Sequence, residues 1–156
     1  MKIREVRPDN RRRCLHVETA EGREFRFPYA RLRVSPGPRE SIHDVKVEEE
    51  LGNEAFTYRL ADGREDTIHV DAVLDYNQDP EYMHGLLLYR LTVEALDALE
   101  ETGMSKRELI RALDTSPAQL YRLLDTTNRT KSIGQMMALL HLLGRRVEVT
   151  VEAAFE

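Results

Sequence analysis

"SKRELIRALDTSPAQLYRLL", Ser105 to Leu124, sets two short amphipathic patterns on either side of "DTSP". Helices under about 12 residues are marginal alone, so a pair this short must be held by packing. Ser105 stands three residues before Glu108, and Ser116 three before Gln119. At that spacing a Ser oxygen accepts from the third helical N–H while the Glu or Gln reaches back. The pattern predicts one helix over about 105–113 and a second over about 116–125, joined at Asp114-Thr115. Leu109, Ala112, Leu113, Leu120, Leu123 and Leu124 supply the inward faces. That is a helix-turn-helix, in which the first turn of the second helix can enter a major groove.

Toward the C-terminus, Ser132 and Gln135 repeat the capping spacing. Ile133, Met136, Met137, Leu140 and Leu143 then trace an apolar helix face that ends at Gly144. "RRVEVTVE" (145–152) alternates like a closing strand. Toward the N-terminus, Asp79-Pro80 marks a helix start, with Asp as cap and Pro in the first helical position. Met83, Leu86, Leu87, Leu91, Ala95, Leu96 and Leu99 give its apolar face up to the stop at Gly103.

The first 75 or so residues read as strands. "CLHVETAEGREFRFPY" turns at Glu21-Gly22 and "AFTYRLADGREDTIHV" at Asp62-Gly63, while "IREV" (3–6) and "IHDVKVEE" (42–49) add alternating segments. "SPGPRES" (35–41) reads as a loop. A shift of 41 residues lays Ala20–Glu24 on Ala61–Glu65, and Leu15, Val17, Phe27 and Leu32 on Phe56, Tyr58, Ile68 and Val73. A duplicated hairpin unit, each copy covering the other's apolar face, accounts for this; chance likeness between two hairpins is the alternative. The expected fold class is α+β. An antiparallel β-region of five or six strands over 1–76 precedes a helical domain over 77–156, with four or five helices and a short terminal strand.

The stretch "SKRELIRALDTSPAQLYRLL" followed by "SIGQMMALLHLLG" resembles the lambda-repressor-like helix-turn-helix domains of bacterial regulators and antitoxins, over roughly 80–146. The resemblance implies sequence-specific binding of double-stranded DNA. It departs from the family in two places. Asp114 stands where a Gly is usual in the turn, and Asp tolerates a left-handed backbone better than most residues. Pro117 and Ala118 occupy the first exposed positions of the recognition helix, where Gln or Ser often reads bases.

The candidate DNA-binding residues are Ser116, Pro117, Ala118, Gln119, Tyr121 and Arg122 on the second helix, and Asn128, Arg129, Thr130, Lys131 and Ser132 in and after "DTTNRTKS". Ala118 can touch a thymine methyl, Gln119 can pair with adenine, and Arg122 with guanine. Gln119 could instead close its own capping box, and Tyr121 could pack or contact phosphate. Arg129 and Lys131 beside the Ser132 helix start would form a phosphate clamp. Lys106, Arg107, Arg111, Arg145 and Arg146 could widen the electropositive footprint, and "RPDNRRR" (7–13) offers a second basic run.

The net charge of −5 conceals this distribution. Residues 1–40 carry 11 Lys/Arg against 6 Asp/Glu, residues 41–104 carry 4 against 16, and residues 105–146 carry 8 against 3. The acidic middle is therefore not expected to face DNA; it could face a basic partner or the basic segments of a second copy of this chain, and a toxin bound through the β-region is compatible. The five His are scattered without zinc-type spacing, no catalytic signature appears, and the single Cys14 reads as a small buried hydrophobe. A non-enzymatic protein without metal or cofactor is expected. Neither a leader nor a membrane span is indicated, and a reducing cytoplasm fits one Cys. Homodimerisation is expected because one recognition helix reads few base pairs; the terminal strand, or Leu87, Leu88 and Leu91, would supply the contact. The alternative function is a protein-interaction module whose helix-turn-helix has lost DNA binding.

Overall fold

Thr19–Arg23 and Leu60–Arg64 close two hairpins in the same way in the computed structural model, which describes residues 1–154. The N–H of Gly22 donates to Thr19 O (2.9 Å) and that of Thr19 to Arg23 O (2.9 Å); Gly63 to Leu60 (3.0 Å) and Leu60 to Arg64 (2.8 Å) repeat them 41 residues on. Both glycines take positive φ, 85° and 89°, where a Cβ would be strained. The chain divides into two compact units, Met1–Tyr82 and Met83 onward.

The first unit holds two three-stranded antiparallel sheets, β1(Ile3–Asp9)-β2(Cys14–Thr19)-β3(Glu24–Pro28) and β4(Asp44–Val47)-β5(Ala55–Arg59)-β6(Glu65–His69). Register repeats with the sequence: Leu15 pairs with Phe27 and Val17 with Phe25, while Phe56 pairs with Ile68 and Tyr58 with Asp66. Each third strand runs into a helical turn, Tyr29–Arg31 in 3-10 form and α1(Val70–Tyr76) in α form. Leu15, Val17, Phe27 and Leu32 share one core with their counterparts 41 residues on, Phe56, Tyr58 and Val73, and Ile68 packs at its edge. Each full burial of this kind removes about 1.5–3 kcal/mol worth of apolar surface from water.

The expectation that residues 70–75 continue as strand is corrected. Val70, Val73 and Leu74 are the buried side chains there, a helical spacing, and His69 ends β6 by capping α1, its Nδ1 accepting from Asp71 N at 3.1 Å. Asp79 is the helix cap that its sequence suggests, its Oδ2 accepting from Tyr82 N at 3.1 Å. It is also almost wholly buried and ion-paired with Arg23. Within the triplet Arg11–Arg13, Arg13 turns inward. It stacks on Tyr29 (4.9 Å) and donates to Gly37 O (2.7 Å), so it fastens the 35–41 loop and is withdrawn from any backbone contact with DNA.

The helices are α2(Pro80–Thr102), α3(Lys106–Ala112), α4(Pro117–Leu124) and α5(Ile133–Leu142). Leu88, Leu91, Ala95 and Ala98 of α2 pack with Leu109, Leu120, Leu123, Leu124, Met136, Leu139, Leu140 and Leu143. Three details differ from the sequence reading. The buried stripe of α2 is rotated, so Leu87 and Leu96 are exposed while Leu88 and Leu91 are in the core and unavailable as a dimer seam. Ala112, Ile133 and Met137 are also exposed. Residues 145–152 form no strand: Val149 and Val151 are 81% and 89% exposed, and among the described residues no strand pairs with them to supply the ladder that β-structure needs.

Candidate nucleic-acid interface

The turn between α3 and α4 depends on Asp114, whose φ is +49°. The helix ends there through bonds from Leu113 N to Leu109 O (2.9 Å) and Thr115 N to Ile110 O (3.1 Å). A left-handed residue at that place reverses the chain within a few residues, and Asp fills it at lower cost than most non-glycine residues. α4 then starts at once: Ser116 Oγ accepts from Gln119 N at 3.1 Å, and Pro117 fills the first helical position. Leu120, Leu123 and Leu124 bury its inner face, leaving Ser116, Pro117, Ala118 and Tyr121 exposed, Tyr121 at 57%. No acidic residue lies in the first turn, and the ammonium of Lys106 sits 5.0 Å over the Tyr121 ring. The outer face of α4 thus exposes an aromatic ring with a lysine of α3 over it.

The three Ser-capped starts are not alike. Ser132 and Gln135 make the reciprocal box, each capping the other's backbone. At Ser105 the hydroxyl donates to the Glu108 carboxylate (3.1 Å). At Ser116 the Gln119 carbonyl turns away and accepts from Arg122 Nε at 3.2 Å. Arg122 also donates to Thr130 Oγ1 and to Gln135 Oε1, both at 3.2 Å. One guanidinium therefore joins α4, the following loop and the first turn of α5. Three of its five N–H donors are engaged inside the protein, so in this structure it positions its neighbours.

The loop Asp125–Lys131 is ordered by two successive turns of one kind. Asp125 Oδ1 accepts from Thr127 N (2.9 Å) and Oγ1 (2.7 Å), and Asn128 Oδ1 accepts from Thr130 N and Oγ1 (both 2.9 Å). These bonds hold the Asp125 carboxyl below its usual range, Thr127 being the main cause. Lys131 corrects the expected clamp: only 2% exposed, it donates from Nζ to Leu123 O (2.9 Å) and Asp125 O (2.8 Å). Its cation closes the C-terminal end of α4, where carbonyls lack helical partners. It cannot reach a phosphate from there. Burial pushes its pKa down despite Asp125.

Arg129 stays exposed, with its guanidinium laid over Gly85 of α2. A Cβ at Gly85 would stand 3.2 Å from Arg129 Cζ, so the glycine makes room for that arginine. Asn128 and Thr130 serve the loop's own geometry. Ser132 is exposed at the start of α5. Arg145, from the wider footprint, is ion-paired with Glu101, whereas Arg107 and Arg111 are exposed. The structure thus brings Ser116, Pro117, Ala118, Gln119, Tyr121, Arg122, Thr130 and Ser132 into or beside one connected region, and removes Lys131 from its surface. The Arg122 hub was hidden from sequence because its partners lie 3, 8 and 13 residues away on three different elements. No family model, curated protein or solved structure matches this chain significantly.

Proposed function

We propose that this chain binds double-stranded DNA sequence-specifically with α4 as its recognition helix, as a transcriptional regulator or antitoxin-type repressor of bacterial type. The carrying observation is the α3–α4 pair: a tight turn at Asp114 presents an exposed, acid-free α4 N-terminus beside Lys106 and Tyr121. Helix N-termini and basic side chains attract phosphate, and a protruding helix of this size fits a major groove. Base contacts fall to Ala118, the amide of Gln119 and Tyr121, while Arg129 supplies the phosphate contact that Lys131 cannot. Arg122 holds Gln119 and the loop in fixed relation. Titrating random duplex DNA at several salt concentrations tests this. Binding whose affinity falls steeply with salt is expected, and salt-independent absence of binding would refute it.

Homodimerisation completes the reading, since two half-sites about 34–36 Å apart are the usual way for one short helix to gain specificity. The segment 146–152, exposed except for Val147, which packs at the edge of the helical core, is self-complementary. Paired antiparallel about Val149, it sets Arg146 against Glu152 and Val147 against Val151. Registers about Glu148 or Thr150 instead set Glu148 against itself or against Glu152, a like-charge pair.

A second reading, a protein-interaction module without DNA binding, has its own support. Lys131 is buried, Arg122 is internally bonded, and Pro117 offers no base-reading group. Ile133 and Met137, one turn apart on α5, add exposed apolar surface. Tight binding to a protein partner by a chain that ignores duplex DNA at low salt would decide for it.

A further inference from the structure

We propose that Asp9, Cys14 and His16 form a three-ligand site for a zinc-class divalent metal ion beside the β1–β2 turn. Strand register brings the three together. Asp9 pairs with Cys14 across the two strands, and His16 lies two residues beyond Cys14 on the same face of β2. His16 Nε2 lies 3.8 Å from Cys14 Sγ and 3.5 Å from Asp9 Oδ2, and the three ligand atoms all lie within 4.8 Å of one another.

Those separations suit one ion. Zinc bonds of about 2.3 Å to sulfur and about 2.0–2.2 Å to nitrogen or oxygen, set at tetrahedral angles, imply ligand–ligand edges of about 3.3–3.6 Å. The two edges at His16 are within a few tenths of an ångström of this, and modest inward movement of Asp9 and Cys14 closes the third. Asp9 is already oriented: its Oδ1 accepts from Arg12 N at 2.9 Å, which leaves Oδ2 toward His16. The same bond holds its carboxyl below the usual range and therefore ionised.

The donor set selects the metal class. Thiolate, imidazole and carboxylate together suit zinc rather than the all-oxygen shells of calcium or magnesium. A thiolate and a carboxylate balance a dication, although Arg12, whose NH1 lies 3.9 Å from Asp9 Oδ2, competes for the carboxylate. Burial raises the Cys14 thiol pKa, so the metal must displace its proton on binding. Cys14 is buried while the Asp9 and His16 side chains are 23% and 29% exposed. Asp9 and His16 line a shallow depression together with Arg7, Asn10 and Arg11, which gives solvent access to the site.

The test is addition of Co²⁺ to the full-length chain after treatment with chelator. The expected result is one Co²⁺ per chain with thiolate-to-cobalt charge-transfer absorption in the near ultraviolet, displaced by Zn²⁺. Cys14→Ser should lose that absorption. His16→Ala and Asp9→Asn should weaken binding by more than the roughly 10–100-fold typical of losing an outer-shell partner. Asp9→Asn retains an acceptor for Arg12 N, and both residues are partly exposed, so these variants carry the test even if Cys14→Ser does not fold. No charge-transfer absorption with Co²⁺ in excess, absorption that persists in Cys14→Ser, or affinity unchanged in His16→Ala would each overturn the site.

Discussion

Lys131 and Asp79 show how single charged residues serve this fold from inside. Lys131 bonds two carbonyls at the end of α4, so Lys131→Met, which keeps the apolar stem, should destabilise the protein by about 1–3 kcal/mol. Urea denaturation measures this; a change under about 0.5 kcal/mol, the range of neutral surface substitutions, would show that the bonds contribute nothing. Its sequence neighbourhood, between Thr130 and the Ser132 cap, gave no sign of burial, since a lysine followed by a helix start is ordinarily solvated. Asp79 pairs with Arg23, which with the cap on Tyr82 N holds its carboxyl below the usual range despite burial. The resulting stability is fully present above the unfolded carboxyl pKa of about 3.9 and is lost as pH falls through the lower folded value. Asp79→Asn should therefore flatten the stability–pH curve below about pH 4 as well as lower its plateau. An acid limb identical to wild type would assign the acid sensitivity to other carboxylates. The cap was legible in "DP"; the ion pair was not, because Arg23 is 56 residues away.

Two elements carry the partner predictions. In the loop Asp125–Lys131, Arg129 is the exposed cation, so Arg129→Ala should weaken binding to all duplexes about equally and reduce the salt slope by about one unit. Arg122→Ala should also weaken binding, and it should loosen the loop, visible as faster amide exchange at Thr130 and Gln135, which a pure base reader would not cause. Unchanged exchange together with a loss confined to one preferred sequence would return Arg122 to the base-reading role. In the segment 145–152, alternation was legible but its partner was not, because a strand exists only when another edge pairs with it. Val149→Lys should leave the folded chain intact and convert a dimer to a monomer of 18.1 kDa in sedimentation. Wild type that sediments as a monomer, with or without DNA, would remove the self-pairing proposal.

Across the whole molecule, features that depend on local chemistry were the legible ones. The hairpin turns at Gly22 and Gly63, the caps at Ser105, Ser116 and Ser132, and the turn at Asp114 all follow from residues within a few positions of one another. The register shared by the two sheets followed from the 41-residue likeness. What stayed hidden was set by tertiary neighbours. Seven residues, Val70–Tyr76, are too few for periodicity to separate helix from strand, and the rotation of α2 was decided by which side α3–α5 cover. The inward turn of Lys131 and Arg122 was hidden for the same reason, since their partners lie elsewhere on the fold. The basic segment 105–146 nevertheless retains exposed Lys106, Arg107, Arg111 and Arg129, and Lys106 lies over Tyr121 of α4. The most direct measurement is the affinity of the full-length chain for duplex DNA as a function of salt. Logarithmic affinity should fall with logarithmic salt with a slope of about −2 or steeper, each neutralised phosphate contributing about −0.9. Absence of binding at low salt, or affinity that does not change with salt, would contradict the DNA-binding account.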